Sequence, residues 1–174
     1  MTPEDRKLIE QLYVSREQPE PISSEDFLRR IGKSDGTQVA HQLLMEAVES
    51  KSSLDLELAL RVAFRFGVDQ RLTPPLSHAL YGDWHVSHEN IVSLLDKLRS
   101  PDAIPSLVHA VRHVPDYLDF DEARALAVKA IWALGNLPGH AAEEALGSLL
   151  DSDNEIVLTN IRNQLKRRGV PTPD

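Results

Sequence analysis

The chain has 174 residues, 41% of them hydrophobic, with 27 acidic against 19 basic side chains, a formal charge of −8 and a pI near 5.3. That length and apolar content suffice for one domain, or one short solenoid, with its own core. The lack of cysteine excludes disulfides, thiolate metal sites and a cysteine nucleophile, and the acidic balance argues against a phosphate-backbone binder.

The N-terminus, MTPEDRKLIEQ, is charged from Glu4 onward and lacks an apolar signal core. No run approaches the roughly 18 apolar residues of a membrane span. A cytoplasmic protein is the expectation. Pro3 to about Arg16 reads as a first helix with Leu8, Ile9, Leu12 and Tyr13 on its apolar side. Pro19 and Pro21 then stiffen a connector over Glu17 to Ile22. Ser23 or Ser24 caps a short helix that turns Phe27, Leu28 and Ile31 inward and stops at Gly32.

From Thr37 the helices come in pairs: Thr37–Glu49 with Ser53–Phe66, Thr73–Leu80 with Ser87–Arg99, Pro101–Val114 with Asp121–Leu137, and His140–Leu150 with Asp153–Arg168. No period-two run bounded by hairpin turns suggests a strand. The stretch Ala123 to Gly135 is the clearest element, with Ala127, Ala130, Ile131 and Leu134 forming one apolar stripe of small and medium residues. Such a stripe lets a neighbouring helix approach closely. Gly135 or Gly139 is expected to supply a left-handed cap, and Pro138 to bar continuation.

Register tests whether the pairs repeat. Ile104, Leu107, Val108 and Val111 match Ala142, Ala145, Leu146 and Leu149 at a constant offset of 38, and Ala130 and Leu134 match Ile161 and Leu165 at 31. The difference falls in a longer loop within the third pair. A period in the middle thirties with two helices per unit means an α-solenoid.

The segments PDAIPSLVHAV (Pro101–Val111) and AVKAIWALGNL (Ala127–Leu137) resemble HEAT-like repeats of the bacterial phycocyanin-lyase type. The resemblance spans roughly Thr37 to Gly169, best in the third pair and poorest in the second. It implies an all-α, right-handed solenoid of about four helix pairs: a helical cap over 1–36, the repeats over 37–169 and a disordered tail over 170–174. Repeats of this kind serve many functions as binding surfaces.

Four of the nine aromatics sit in two loops, YGDWHVSH and PDYLDFDE. Equivalent loops of neighbouring units lie side by side in a solenoid, so Tyr81, Asp83, Trp84, His85, Asp116, Tyr117, Asp119, Phe120 and Asp121 are expected to form one edge patch. Aromatics mixed with carboxylates suit a contact to a basic protein surface; the competing role is to plug the helix ends. The second helices offer a concave groove through Arg61, Phe64, Arg65, Lys129 and Trp132, although packing alone is the commoner role for such aromatics.

His109 and His113 have the i, i+4 spacing of a chelating pair, but nothing completes a metal motif and chance exposure is the plainer reading. No phosphate loop or G-x-S-x-G elbow is present. The expectation is therefore a non-catalytic protein-binding module without cofactor or metal, engaging a basic protein and neither nucleic acid nor membrane. An inhibitor or immunity protein of a bacterial toxin is its sharpest form. The alternatives are a bilin lyase-like or metal-dependent HEAT-repeat enzyme, and a scaffold subunit.

Overall fold

The computed structural model describes residues 1–14, 16 and 19–171. Within them the chain forms ten α-helices and no strand: α1 (Pro3–Glu10), α2 (Ser24–Ile31), α3 (Gly36–Ser50), α4 (Ser53–Phe66), α5 (Thr73–Ala79), α6 (His88–Leu98), α7 (Ile104–Arg112), α8 (Ala125–Asn136), α9 (His140–Gly147) and α10 (Glu155–Arg167). Short 3-10 turns precede α5 and α7, and a third, Asp116–Leu118, lies between α7 and α8. Glu17, where the stiff connector was expected to begin, and residues 172–174 of the expected tail lie outside the described residues.

From α3 onward the helices alternate between two layers. The first helices α3, α5, α7 and α9 stack in order, as do the second helices α4, α6, α8 and α10, and each first helix packs on its own second helix. This is an all-α solenoid of four HEAT-like pairs. Between the layers lies a continuous apolar core, including Leu44, Leu56, Leu60, Leu76, Ile91, Leu95, Leu107, Ile131, Leu134, Leu146 and Ile161, all essentially inaccessible to water. Each such side chain contributes roughly 1.5–3 kcal/mol through burial. Of the register residues, Leu107, Val111, Ala142, Ala145, Leu146 and Leu149 are buried, whereas Ile104 and Val108 are half-buried.

Local chemistry sets the helix limits. Thr2 and Asp5 form a reciprocal capping box on α1, and Ser23, Asp35, Ser52 and Asn154 cap α2, α3, α4 and α10 with side-chain oxygens. Helix α1 stops at Glu10, well short of Arg16. The chain there turns so that the Tyr13 hydroxyl donates to the Arg61 carbonyl at 2.6 Å. Helices α3 and α6 end on left-handed Lys51 and Arg99 rather than on glycine.

Two glycines mark close approach. Gly135 lies inside α8 rather than capping it; a Cβ there would collide with the buried Gln164 of α10. Gly36, at the start of α3, leaves room for the Phe66 ring, which packs 5.5 Å from Phe27 of α2. The N-terminal helices thus seal the first pair. Arg6 adds a two-pronged contact, 2.7 and 3.1 Å, to the buried Asp55 carboxylate on α4.

At the opposite end, Arg168 reaches back to the end of α8. Its guanidinium donates to the carbonyls of Gly135, Leu137 and Gly139 at 3.1, 2.6 and 2.9 Å. A cation at a helix C-terminus satisfies orphan carbonyls and the dipole together. Here the helix served is the neighbour.

Candidate functional site

The loop after α5 (residues 80–87) and the loop after α7 (residues 113–124) meet, as solenoid geometry demands, and histidines hold the seam together. His85 is buried; its Nδ1 accepts from the Ser87 N–H at 3.1 Å and its Nε2 lies 2.8 Å from the Ala79 carbonyl. That pairing fixes a neutral imidazole with the proton on Nε2. His88, the first residue of α6, is buried beside it, ring centroids 4.4 Å apart, and its Nδ1 lies 3.1 Å from the Tyr117 hydroxyl. On the outer side, Tyr81 packs on His109, His109 stacks on His113, and His113 Nε2 meets Asp83 at 3.2 Å.

Burial disfavours the charged form of His85, His88 and His109. It pushes the His88 pKa down to about 4, with the neighbouring His85 adding to the effect, and it also lowers His85 and His109. Burial likewise raises the Tyr117 phenol. His88 and Tyr117 are therefore a neutral base and a neutral acid in hydrogen-bond contact. The His88 Nε2 is buried without a hydrogen-bond partner among the described residues.

Two open clefts adjoin this cluster. One, about 290 Å³, is lined by Ser53, Asp83, Trp84, His85, Val86, Pro115, Asp116 and Tyr117. The other, about 500 Å³, is lined by Lys51, His78, Tyr81, Gly82, Asp83 and Trp84. Asp83 and Trp84 form the wall between them. The indole lies over Gly82, where a Cβ would strike it, and meets His85 edge-on at 4.6 Å.

The expected edge patch thus divides. Asp83, Trp84, His85, Asp116 and Tyr117 gather round one cleft, with Tyr81 on the far side of Trp84. Asp119 and Phe120 line neither, and Phe120 projects into solvent at 81% exposure. Asp121 accepts from the N–H groups of Ala123 and Ala125, so its carboxylate starts α8. His85 is not available at the surface, and His109 and His113 are not stray exposed rings: both are half-buried parts of the seam. His88, which flanks a turn with His85, is not among the residues expected at the site; only packing joins it to Tyr117.

The second helices carry a different surface. Phe64 and Trp132, candidates for packing, are 38% and 47% exposed. Lys97 lies 5.0 Å over the Phe64 ring and Arg167 5.7 Å over the Trp132 ring. Polar contacts tie the helices across this face: Lys129 to Glu89 at 2.8 Å, Asn136 to Asp96 at 2.8 Å, Arg167 to Asn136 at 2.9 Å and Trp132 Nε1 to Asn160 at 3.3 Å. Arg61 and Arg65 turn toward the N-terminal helices, Arg61 over Tyr13 and Arg65 bonded to Ser24.

Charge is unequal between the layers. The second helices present Arg61, Arg65 and Lys97, then Lys129, Arg162, Lys166 and Arg167, against Glu57, Glu89, Asp96 and Glu155. The first helices α3, α5, α7 and α9 present Arg112 alone against Glu46, Glu49, Glu143 and Glu144. Among the described residues no helix is long and apolar enough to cross a membrane, and no group of three or more His, Asp or Glu is placed to hold a metal ion.

Comparison with known proteins places these features in context. Residues 126–152 match the PBS lyase HEAT-like repeat. The chain is also 34% identical over 84 residues to the bilin biosynthesis protein RpcE of Synechococcus sp. (strain WH8020). That match covers 48% of this chain and 29% of the relative, so the chain spans well under half of that protein's length. No solved structure matches the chain. The findings bear out the HEAT-like solenoid and overturn the expectation of a non-catalytic inhibitor or immunity protein, since the matching repeat is described as that of a PBS lyase and the relative is named for bilin biosynthesis. A protein or substrate partner fits them; a basic partner is not shown.

Proposed function

We propose, from a chain that carries a PBS lyase HEAT-like repeat, that this protein handles a linear tetrapyrrole as a bilin lyase-like enzyme, with the loop seam as its site. The observation that carries the assignment to the seam is the His88–Tyr117 pair at an aromatic-walled cleft. A bilin is long, flat and conjugated, with pyrrole N–H donors along one edge and propionate carboxylates on another. Trp84 and Tyr117 offer flat faces for stacking. Asp83 and Asp116 would accept from pyrrole N–H groups, and Lys51 in the adjoining cleft would pair with a propionate. The two clefts flanking Trp84 suit an elongated ligand better than a compact one.

Lyase chemistry on such a substrate is thiol addition to, or elimination from, a side-chain double bond. It is redox-neutral: a C–S bond forms or breaks while a proton moves between sulfur and a bilin carbon. These 174 residues hold no cysteine, so the thiol comes from outside them. What this chain supplies is a site for the chromophore and a group to pass the proton. Tyr117 lines the cleft, and its hydrogen bond to the buried His88 orients the phenol that would pass the proton.

The test is optical. Adding biliverdin or a phycobilin to the purified protein should shift and sharpen the pigment's long-wavelength absorption band and induce circular dichroism in it. Trp84→Ala should weaken that binding at least tenfold. No spectral change with either pigment at concentrations well above micromolar would sink the reading.

A further inference from the structure

We propose that the face formed by α6, α8 and α10, with Phe64 of α4 at its margin, is a docking surface for an acidic protein segment. The inference stands on the surface alone and does not depend on the chromophore reading. Charge is its first support. In a chain with a net charge of −8, helices α6, α8 and α10 carry the five cations Lys97, Lys129, Arg162, Lys166 and Arg167 against the three acids Glu89, Asp96 and Glu155, whereas the first helices carry one against four. A partner guided by electrostatics would approach the second-helix layer with carboxylates.

Geometry is the second support. Large aromatics left open to water mark interfaces, and this face has two, each with a cation on its ring. In both stations the aromatic supplies apolar area while the cation keeps donors free for a carboxylate. Between them Glu89 already neutralises Lys129, and Asp96 is held by Asn136. The middle of the face is thus satisfied, and the unspent positive charge sits at its two sides, on Lys97 and Arg167. An amphipathic segment with apolar residues on Phe64 and Trp132 and carboxylates beside them matches that layout.

The experiment measures binding of a labelled amphipathic Glu/Leu peptide by fluorescence anisotropy, on protein free of pigment, with a Lys/Leu peptide of the same pattern as control. The expected result is saturable binding of the acidic peptide, weakened by salt and lowered at least tenfold in the double variant Lys97→Glu, Arg167→Glu. Because reversal also removes the Arg167 contact to Asn136, Lys97→Gln with Trp132→Ala supplies a second, neutral test, expected to lower binding about fivefold while the circular dichroism melt stays unchanged. Equal binding of the basic peptide would overturn the proposal. So would tighter binding of a duplex oligonucleotide than of the peptide, self-association of the protein abolished by the same variants, or variants that bind as well as wild type.

Discussion

The Tyr117 hydroxyl lies 3.1 Å from His88 Nδ1, joining the loop after α7 to the first turn of α6 across 29 residues of sequence. The contact connects two solenoid units at their edge and sets a phenol over a buried imidazole. Tyr117→Phe keeps the ring and deletes the bond, so stability should fall by about 0.5–1.5 kcal/mol. Bilin binding should be retained, while any transfer of pigment to an acceptor thiol slows at least tenfold. Denaturant titration and a transfer time course separate the two effects.

Protonation of the seam should destabilise the fold. His85, His88 and His109 all have pKa values below the ordinary 6.5 because burial disfavours the imidazolium, partly offset by Asp83, and His88 is pushed to about 4. Below pH 6.5 the unfolded chain therefore binds protons that the folded chain does not. Stability is full above that value and declines as pH falls toward 4, by on the order of 2–3 kcal/mol from His88. Chemical denaturation at a series of pH values tests this. His88→Gln should flatten the profile.

Asp55 is buried and depends on Arg6, with the chain's amino group 3.7 Å away. Arg6 holds the Asp55 carboxyl below its ordinary pKa, so the stabilisation is present above that value and lost as pH falls through the folded one. Arg6→Met strands the carboxylate and should lower the melting temperature by roughly 5–10 °C. A melt unchanged at neutral pH would show that the N-terminal helices do not seal the first pair.

Gly135 should tolerate alanine only if Gln164 shrinks. In the wild-type background Gly135→Ala drives a Cβ into the Gln164 amide and should cost about 1–3 kcal/mol despite the better helix propensity. Combining it with Gln164→Ala removes the obstacle, so the double variant should recover part of that loss. A double-mutant cycle by thermal melting reads the coupling directly.

Exposed aromatics predict the opposite behaviour. Trp132→Ala and Phe64→Ala should each change stability by less than about 1 kcal/mol, because neither ring is enclosed by the core. A large loss in either would mean that the ring serves the fold rather than the surface.

The sequence by itself determined the helices and their order, because periodicity, caps and breakers act over a few residues. Ser53–Phe66 follows from an Ser52 cap and Gly67, and the offset of 38 between Leu107 and Ala145 follows from one repeat stacking on the next. It also placed the two aromatic loops side by side, since equivalent loops of adjacent units must be neighbours. Where each side chain points within those loops was decided by tertiary structure. His85 turns inward because Ala79 and Ser87 satisfy both its nitrogens, Asp121 is spent on starting α8, and Phe120 finds no cavity to fill. Gly135 has the look of a cap in the sequence, yet only the approach of α10 reveals why a side chain is excluded there. Likewise a net charge of −8 says nothing of its distribution: stacking the pairs gathers the cations on the second-helix layer, while the acids are shared between the two layers.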